Sequence, residues 1–494
     1  MKLSTRTVPI ESLQSEIKAW LEEPTNRISM LTSIDGAQLV LLMLKPSERH
    51  AELWVSEVKE NRYTSLTLSF AQLHWAERAM WDMFGIVPEG HPRLKPVLLQ
   101  DPYPAGYYPL RTAPLTGADL QVLDREFHFL EVRGDGVWQL PVGPIHAGVI
   151  EPGHFRFSLM GEYIQNLELK FGYVHRGLEK RMTEVPWQKA SFVAEAIAGD
   201  TSVANSLAFA IAIESLLGVE VPPLAQALRT VALEIERVAM HTIDIGGIAG
   251  DIGMLGILQS FSRFRGIALG MGEGIAGARF MKAFIAPGGV RAEPRAPISK
   301  VLGNVKNMRE ELKRLCPMLL ENQSAIERMD GIGKLKHALA NEFGMVGVVG
   351  RAAGVGYDTR RHYKQGLYPN LDCPIAVEPA GDILARTKIR AKEIFNSLDL
   401  IERILSDLPT GAIKIDLPDV LPSDSVAAGI VEGFRGELIH VAFTDESGKI
   451  KRYAIKDPSW NNWTCISIAI RNNLLADFPL CNKSLALSYS GNDL

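Results

Sequence analysis

Hydrophobic residues are spaced differently in the two parts of the chain, with a change near residue 115. In the first part, short apolar runs at 28–32, 38–44 and 65–70 are bounded by Gly, Asp and Pro residues, which is typical of β-strands. Residues 10–21 have the three-to-four-residue spacing of a helix. This pattern predicts an N-terminal α/β domain over residues 1–115.

A segment rich in proline, glycine and tyrosine ends this domain. Residues 101–117 contain four prolines, and such a density excludes both a helix and a central strand. The sequence therefore predicts an extended connector here, and we expect a linker over residues 116–138.

From about residue 162 onward, apolar residues recur at helical spacing. Long helices are predicted at 203–217, 224–245, 251–279, 301–329 and 381–405. The second of these is preceded by two prolines and followed by two glycines, which mark helix ends. Residues 436–455 alternate instead around an Asp-Glu-Ser-Gly turn, which predicts a β-hairpin. We therefore expect an α+β fold, with a mainly helical domain and small β-sheets over residues 139–494.

Composition and charge exclude several classes of function. The chain has 494 residues, of which 46% are hydrophobic and 22% charged, and its net charge is -4. No long basic run is present, so nucleic-acid binding is not expected. The four cysteines are far apart in sequence and form no C-x-x-C, which argues against an iron–sulfur cluster or structural zinc held within this chain.

The N-terminal domain carries a motif between His74 and Arg111. From composition alone it is a helix that ends at Phe84 and Gly85, followed by a surface loop with satisfied charges. It resembles the hydrophilic 30 kDa-type subunit of respiratory complex I, a structural subunit that packs on its neighbours. The matching residues are Glu77, Arg78, Asp82, Phe84, Gly85, Ile86, Gly90, His91, Pro92, Pro109, Leu110 and Arg111.

Residues 140–157 place two histidines, His146 and His154, on adjoining turns with Glu151 between them. A histidine beside a glycine is usually structural, but two histidines with a glutamate between them also indicate a possible binding or catalytic site. The stretch resembles the start of membrane-bound hydrogenase large subunits and the corresponding hairpin of complex I. The resemblance implies that Glu151 relays protons and that His146 or His154 lies near a quinone head group.

Two further segments resemble the metal-binding motifs of nickel–iron hydrogenases, but without their cysteines. In this alignment Ala198, Thr201, Ser488 and Gly491 stand at the four cysteine positions. None of these residues supplies a thiolate, so no nickel–iron centre is expected by that coordination. Asp200 and Thr201 are instead candidates for polar contacts with an electron acceptor.

Three other charged motifs match the same families. Glu179 lies in a His-Arg-Gly-Leu-Glu-Lys run, Arg237 and His241 share one helix face, and Arg435 lies in Glu-Gly-Phe-Arg-Gly-Glu. In isolation these are solvated helix faces and a surface arginine in a turn. The resemblance implies that Arg237 and His241 lie near the terminal 4Fe-4S cluster of a partner subunit, and that Arg435 overhangs the site of the missing metal. Gly272, Gly274 and Gly277 spell G-x-G-x-x-G but follow no strand, so nucleotide binding is rejected.

The resemblance spans nearly the whole chain, in the order of a fused 30 kDa-type and 49 kDa-type pair. It implies a subunit of a membrane-associated, ion-translocating redox complex, of NADH:quinone oxidoreductase or hydrogenase type. The chain would bind no cofactor itself and would form a cavity for a quinone or a similar electron acceptor. The implied hetero-oligomer contains an iron–sulfur small subunit of the complex I 20 kDa type, a ferredoxin-like subunit and membrane-arm subunits.

Two alternatives remain at this point. The cavity would be vestigial if the chain were a non-catalytic coupling subunit, and an active nickel–iron hydrogenase is the least favoured interpretation. Since no segment is apolar enough to span a bilayer, we expect a peripheral position on the cytoplasmic side of the membrane, held there by other subunits.

Overall fold

The structure is a computed structural model, and it describes residues 1, 3–99, 103, 106–114, 126–147, 150–363 and 366–494. Part of the predicted connector at 101–117 and the first part of the predicted linker at 116–138 lie outside the described residues. Within the described residues the fold is α+β with several small sheets, which confirms the predicted fold class.

The element bounds are as follows. The strands are β1 Ser4–Thr7, β2 Arg27–Thr32, β3 Gln38–Lys45, β4 His50–Glu57, β5 Arg62–Thr64, β6 Val87–Glu89, β7 Val137–Val142, β8 His154–Met160, β9 Tyr163–Lys170, β10 Ile285–Ala286, β11 Gly289–Val290, β12 Val426–Gly433, β13 Gly436–Thr444 and β14 Ile450–Lys456. The helices are α1 Leu13–Trp20, α2 His74–Phe84, α3 Leu178–Glu184, α4 Trp187–Ala194, α5 Ser202–Leu217, α6 Pro223–Asp251, α7 Leu255–Ala276, α8 Ile298–Leu320, α9 Gln323–Glu327, α10 His337–Glu342, α11 Gly347–Ala352, α12 Thr359–His362, α13 Ile383–Ser406, α14 Pro458–Ala469, α15 Phe478–Leu485 and α16 Tyr489–Asp493.

The N-terminal domain is built on a four-stranded sheet in the order β1-β4-β3-β2. Strands β1 and β4 pair in parallel, and the other pairs are antiparallel. One face of this sheet packs against the C-terminal sheet β12-β13-β14, where Val40, Leu42 and Leu53 share a buried cluster with Ile439 and Val441. The two domains therefore meet through a common apolar core.

Helix α6 is the centre of the second domain. It packs against α7 on one side and α13 on another, while α5 covers β12 and β13. The apolar spacing of α6 explains this position, because almost all its residues between Ala225 and Ile245 are buried. The C-terminal helices α14, α15 and α16 close the molecule against β9, α6 and α13.

Three predicted element boundaries are wrong. Residues 65–70 form turns and not a strand, because the Glu77 carboxylate accepts the backbone N–H groups of Leu66 and Thr67 at 2.8 and 3.1 Å. Helix α6 continues through Gly246 and Gly247 to Asp251. There the missing side chain of Gly246 lets the α7 residue Phe261 approach closely.

The third wrong boundary concerns the predicted helix at 301–329. It is divided into α8 and α9, because the Asn322 side chain accepts the Ala325 N–H at 3.0 Å and starts a new helix.

Candidate functional site

A partly buried ion pair between Arg435 and Asp200 is the centre of the candidate site. Both guanidinium nitrogens donate to the carboxylate, with Nη1–Oδ1 at 2.8 Å and Nη2–Oδ2 at 2.6 Å. The arginine Nε also donates to the Ala486 carbonyl. The Asp200 side chain is 36% exposed and that of Arg435 is 9% exposed, so the pair reaches from the interior towards solvent. It joins the start of α5, the β12–β13 turn and the C-terminal segment.

The pair stays ionised because each charge stabilises the other. Burial alone would raise the pKa of Asp200, but the neighbouring Arg435 guanidinium outweighs it and lowers that pKa. For Arg435, burial works against the charged form, and the Asp200 carboxylate reverses the effect and raises its pKa. A bidentate arginine–carboxylate pair also fixes the orientation of both side chains.

Arg237 holds the turn that carries Arg435. Its Nη1 and Nη2 donate to the carbonyls of Gly433 and Glu432 at 3.0 and 2.6 Å, at the end of β12. The Arg435 guanidinium itself lies 4.3 Å from the ring centre of Phe434. Arg237 is fully buried and also donates to Glu234, so it acts on the site through the backbone of the turn.

Of the four residues aligned with hydrogenase cysteines, two have hydroxyl groups that already have hydrogen-bond partners, and two have no polar side chain. Thr201 Oγ1 accepts from Asn205 Nδ2 at 3.1 Å, and Ser488 Oγ accepts from the Gly491 N–H at 2.9 Å. Ala198 is apolar and buried.

A side chain at position 491 has no room. A Cβ atom built there would lie 2.4 Å from Asp457 Oδ2. The residues of this structure therefore do not fit a nickel–iron centre.

Asp457 is a site residue that the sequence reasoning missed. It begins helix α14, and its Oδ1 accepts the Ser459 N–H at 2.8 Å, as an ordinary N-cap aspartate does. Its Oδ2 is buried and has no hydrogen-bond partner among the described residues. Burial raises the pKa of Asp457; Arg435 lowers it and Asp200 raises it. The only signal in the sequence was the Asp-Pro-Ser start of a helix, which predicts a cap.

The predicted residues near the connection between β7 and β8 have two different roles. Glu151 Oε2 accepts the Ser490 N–H at 3.0 Å, which joins it to the C-terminal segment. His146 Nε2 bonds the Gly153 carbonyl at 2.7 Å, and His154 Nδ1 bonds the Gly143 carbonyl at 3.1 Å. Each of these histidines thus bonds a backbone carbonyl of the connection between β7 and β8. Neither bonds to Arg435 or Asp200 among the described residues.

His154 retains one unused ring nitrogen. Its Nε2 is buried without a partner among the described residues, and the ring centre lies 5.1 Å from that of Phe129. Burial lowers the pKa of His154, the bond to Gly143 opposes that shift, and nearby Arg156 and Lys170 add to it. A neutral ring is therefore the stable form near neutral pH.

Glu179 and His241 lie in buried supporting networks. Glu179 accepts from Arg452 at 3.0 Å and from the Ile455 N–H at 2.8 Å, which fixes α3 on β14. His241 Nε2 lies 2.8 Å from Glu393 Oε2, and burial lowers the pKa of the histidine. Glu393 also binds Arg351 at 2.6 Å, so His241 is enclosed by a network of fully buried charges.

The described residues contain no group of three or more His, Cys, Asp or Glu side chains arranged to hold a metal ion. No helix among them combines the length and the apolar character needed to cross a membrane.

Each of the two domains contains a segment that matches a known protein family. Residues 7–118 match the family "Respiratory-chain NADH dehydrogenase, 30 Kd subunit", and residues 251–428 match "Respiratory-chain NADH dehydrogenase, 49 Kd subunit". Formate hydrogenlyase subunit 5 of Escherichia coli (strain K12) is 30% identical over 463 residues, which cover 90% of this chain and 80% of that protein.

Relatives of the complex I type and a solved structure agree with this. The C/D fusion protein of the NADH-quinone oxidoreductase of Sulfurihydrogenibium sp. (strain YO3AOP1) is 28% identical, covering 78% of this chain and 74% of that protein. A chain in the structure of the membrane-bound sulfane sulfur reductase, an archaeal respiratory membrane complex, has a TM-score of 0.69 and 28% identity. That match covers 73% of this chain and 99% of the other. The chain therefore belongs to the family of complex I-related and hydrogenase-related oxidoreductase subunits in which a 30 kDa-type domain is fused to a 49 kDa-type domain.

Proposed function

We propose that this chain forms the electron-acceptor site of its redox complex, beside a partner iron–sulfur subunit, and that the acceptor is a quinone or a molecule with similar carbonyl groups. The chain is a subunit of a membrane-bound respiratory or hydrogenase-type complex related to complex I. Within that complex, Arg435 and Asp200 take the place of a metal centre. Electrons would come from a 4Fe-4S cluster of the partner, and the complex would couple their transfer to ion translocation.

The Arg435–Asp200 pair is the observation that carries this proposal. A guanidinium has five N–H groups, and the bonds to Asp200 and Ala486 use three of them. The remaining two are suited to the oxygen of a carbonyl acceptor, and they would stabilise the negative charge that develops there on reduction. The 36% exposure of Asp200 supports access from one side.

Glu151 and Thr201 are connected to the Arg435–Asp200 pair, one by a hydrogen bond and the other by sequence. Glu151 is bonded to the C-terminal segment at Ser490, and Thr201 directly follows Asp200. We place both at the rim of the proposed cavity. Arg237, His241 and Glu179 are proposed as positioning residues, because their partners lie within the buried networks.

A second candidate function has its own supporting observation. The residues at the four cysteine positions are either without a polar side chain or already hydrogen-bonded, as expected for a cavity that no longer binds anything. In that case the chain would be a coupling subunit that transmits conformational or proton signals to the membrane arm. The peripheral, cytoplasmic-side position and the hetero-oligomeric partners named above belong equally to this second proposal.

Binding of a quinone analogue to the purified complex distinguishes the two candidates. Loss of a hydrogen bond to a charged group costs about 1.5–3 kcal/mol. We therefore expect Arg435→Ala to weaken binding roughly 10- to 100-fold. Arg435→Lys should give an intermediate loss, because lysine keeps the charge but not the fork of donors. Arg6→Ala, which breaks an exposed Arg6–Glu16 pair at 2.9 Å, is the matched control and should leave affinity unchanged.

The opposite result would support the coupling role. If the wild-type complex binds no analogue, or if Arg435→Ala binds it as tightly as the wild type, the acceptor site is not at Arg435. Equimolar nickel in the purified complex would contradict both candidates.

A further inference from the structure

A cavity of about 80 Å³ lies between the N-terminal domain and the C-terminal part of the chain. Met80, Met83 and Phe84 of α2 form part of its apolar wall. The opposite wall comes from β14 and from the starts of α14 and α16, and includes Asp457 and Gly491. Two residues of the candidate site therefore also face the junction of the two domains.

Three buried acceptor oxygens on the residues lining this cavity have no donor among the described residues. They are Asp457 Oδ2, Asn461 Oδ1 and Asn492 Oδ1. A buried acceptor without a donor is unfavourable, and ordered water is its usual partner in proteins. The cavity is large enough to hold more than one water molecule.

We propose that this cavity binds a short chain of water molecules and that Asp457 exchanges a proton with it, which makes Asp457 the proton-exchange residue of the candidate site. The carboxylate oxygen Oδ2 takes a proton from the adjacent cavity water while that water receives one from the next water in the chain, so that the proton comes in net from solvent. The carboxyl returns its proton by the reverse transfer or passes it to the site. Only O–H bonds form and break in this exchange, so no oxidant or reductant is required.

Asp457 suits this role better than the other acidic groups nearby. Asp200 is held in two bonds by Arg435, and both oxygens of Glu179 are occupied by Arg452 and the Ile455 N–H. Asp457 has one oxygen in the helix cap and one free of donors among the described residues. Of the two acidic residues that the cavity lining contains among the described residues, Asp457 is therefore the one that can change protonation without breaking an ion pair.

The surroundings of Asp457 act on its pKa in opposite directions, and the net effect is to raise it. Burial favours the neutral carboxyl, as does the negative charge of Asp200, whereas Arg435 favours the carboxylate. The other charged residues that line the cavity are Glu179, Arg452 and Lys456.

The exchange itself can be tested without any acceptor. Delivery of this proton to a reduced acceptor rests on the proposed function, but the protonation of Asp457 and its contact with cavity water do not. The measurement is infrared difference spectroscopy of the purified complex as pH is changed, and after transfer from H₂O to D₂O. The observed signal is the carbonyl stretch of a protonated carboxyl.

Two variants and one control define the expected result. Asp457→Asn should abolish a carboxyl band that titrates above the ordinary aspartate pKa of about 4. Asp445→Asn, at an exposed turn, should leave that band in place. Ala76→Leu fills part of the cavity from the α2 wall, opposite the wall that contains Asp457, and should slow the deuterium shift of the band.

Other results would overturn the proposal. If the titrating band persists in Asp457→Asn, another group holds the proton. If Ala76→Leu leaves the exchange rate unchanged, the cavity is not the route, and this variant keeps the test decisive should Asp457→Asn fail to fold. Loss of analogue binding with an intact band would count against the acceptor site alone.

Discussion

Gly491 shows how one residue and its neighbour can exclude a metal site. The position aligns with a hydrogenase cysteine, and sequence reasoning noted only that the thiolate was missing. The structure adds that the Asp457 carboxylate occupies the space beside it, since a Cβ atom there would lie 2.4 Å from Oδ2 and 2.8 Å from Cγ. Restoring the cysteine therefore requires Asp457 to move.

We predict that Gly491→Cys destabilises the protein without restoring nickel. Overpacking of this kind costs about 1–3 kcal/mol. The double variant Gly491→Cys, Asp457→Ala should recover part of that loss, because it removes the atoms in conflict. Thermal unfolding and nickel content of both variants check this. A single variant as stable as the wild type would contradict the account of the site.

At the scale of elements, the start of α5 positions Asp200. Glu236 of α6 accepts the N–H groups of Val203 and Ala204 at 2.7 and 3.1 Å, so two helices are joined at this point. Burial raises the pKa of Glu236 to about 8, although both backbone bonds oppose the shift. The carboxyl is therefore neutral in the folded protein near neutral pH.

The sign of the resulting pH dependence follows from this shift. Below the ordinary glutamate pKa of about 4.3 both folded and unfolded chains hold the proton. As pH rises towards 8 only the unfolded chain releases it, so the contribution of Glu236 to stability falls. We predict that Glu236→Gln unfolds at nearly the wild-type temperature at low pH and at a higher temperature near pH 8. The exposed Glu446→Gln is the control, and equal pH profiles for Glu236→Gln and wild type would refute the prediction.

The sequence identified the elements better than the contacts between them. Strands at 28–32 and 38–44, the hairpin at 436–455 and most long helices were predictable, because apolar periodicity reflects burial within one element. Helix α6 was expected to stop at Gly246, since nothing local shows that Phe261 of another helix needs that space.

The site could be predicted only in part for the same reason. Arg435 and Asp200 were both selected, each from its own motif, although 235 positions separate them in sequence. Their pairing depends on the packing of α5 against β12 and β13. Asp457 was missed because its sequence motif predicts only a helix cap. Its place in the site depends on its contact with Gly491, which lies 34 positions later in the sequence.

At the scale of the whole molecule, the two domains share a buried polar junction at Glu437. Glu437 accepts from Ser29 of the N-terminal domain at 2.6 Å, and from Tyr357 and Lys456 of the second domain at 2.5 and 2.6 Å. The junction adjoins the interdomain cavity, which Ser29 and Lys456 also line. We therefore expect the N-terminal domain to influence the candidate site through this junction, in addition to any contacts with other subunits.

Photoaffinity labelling with an azido-quinone tests the central claim most directly. The purified complex is irradiated with the probe, with and without excess unlabelled quinone, and the labelled peptides are identified by mass spectrometry. We predict labels, suppressed by competition, in the segments that contain Asp200, Arg435 and residues 486–491. Labelling confined to other subunits would contradict the claim that this chain forms the acceptor site.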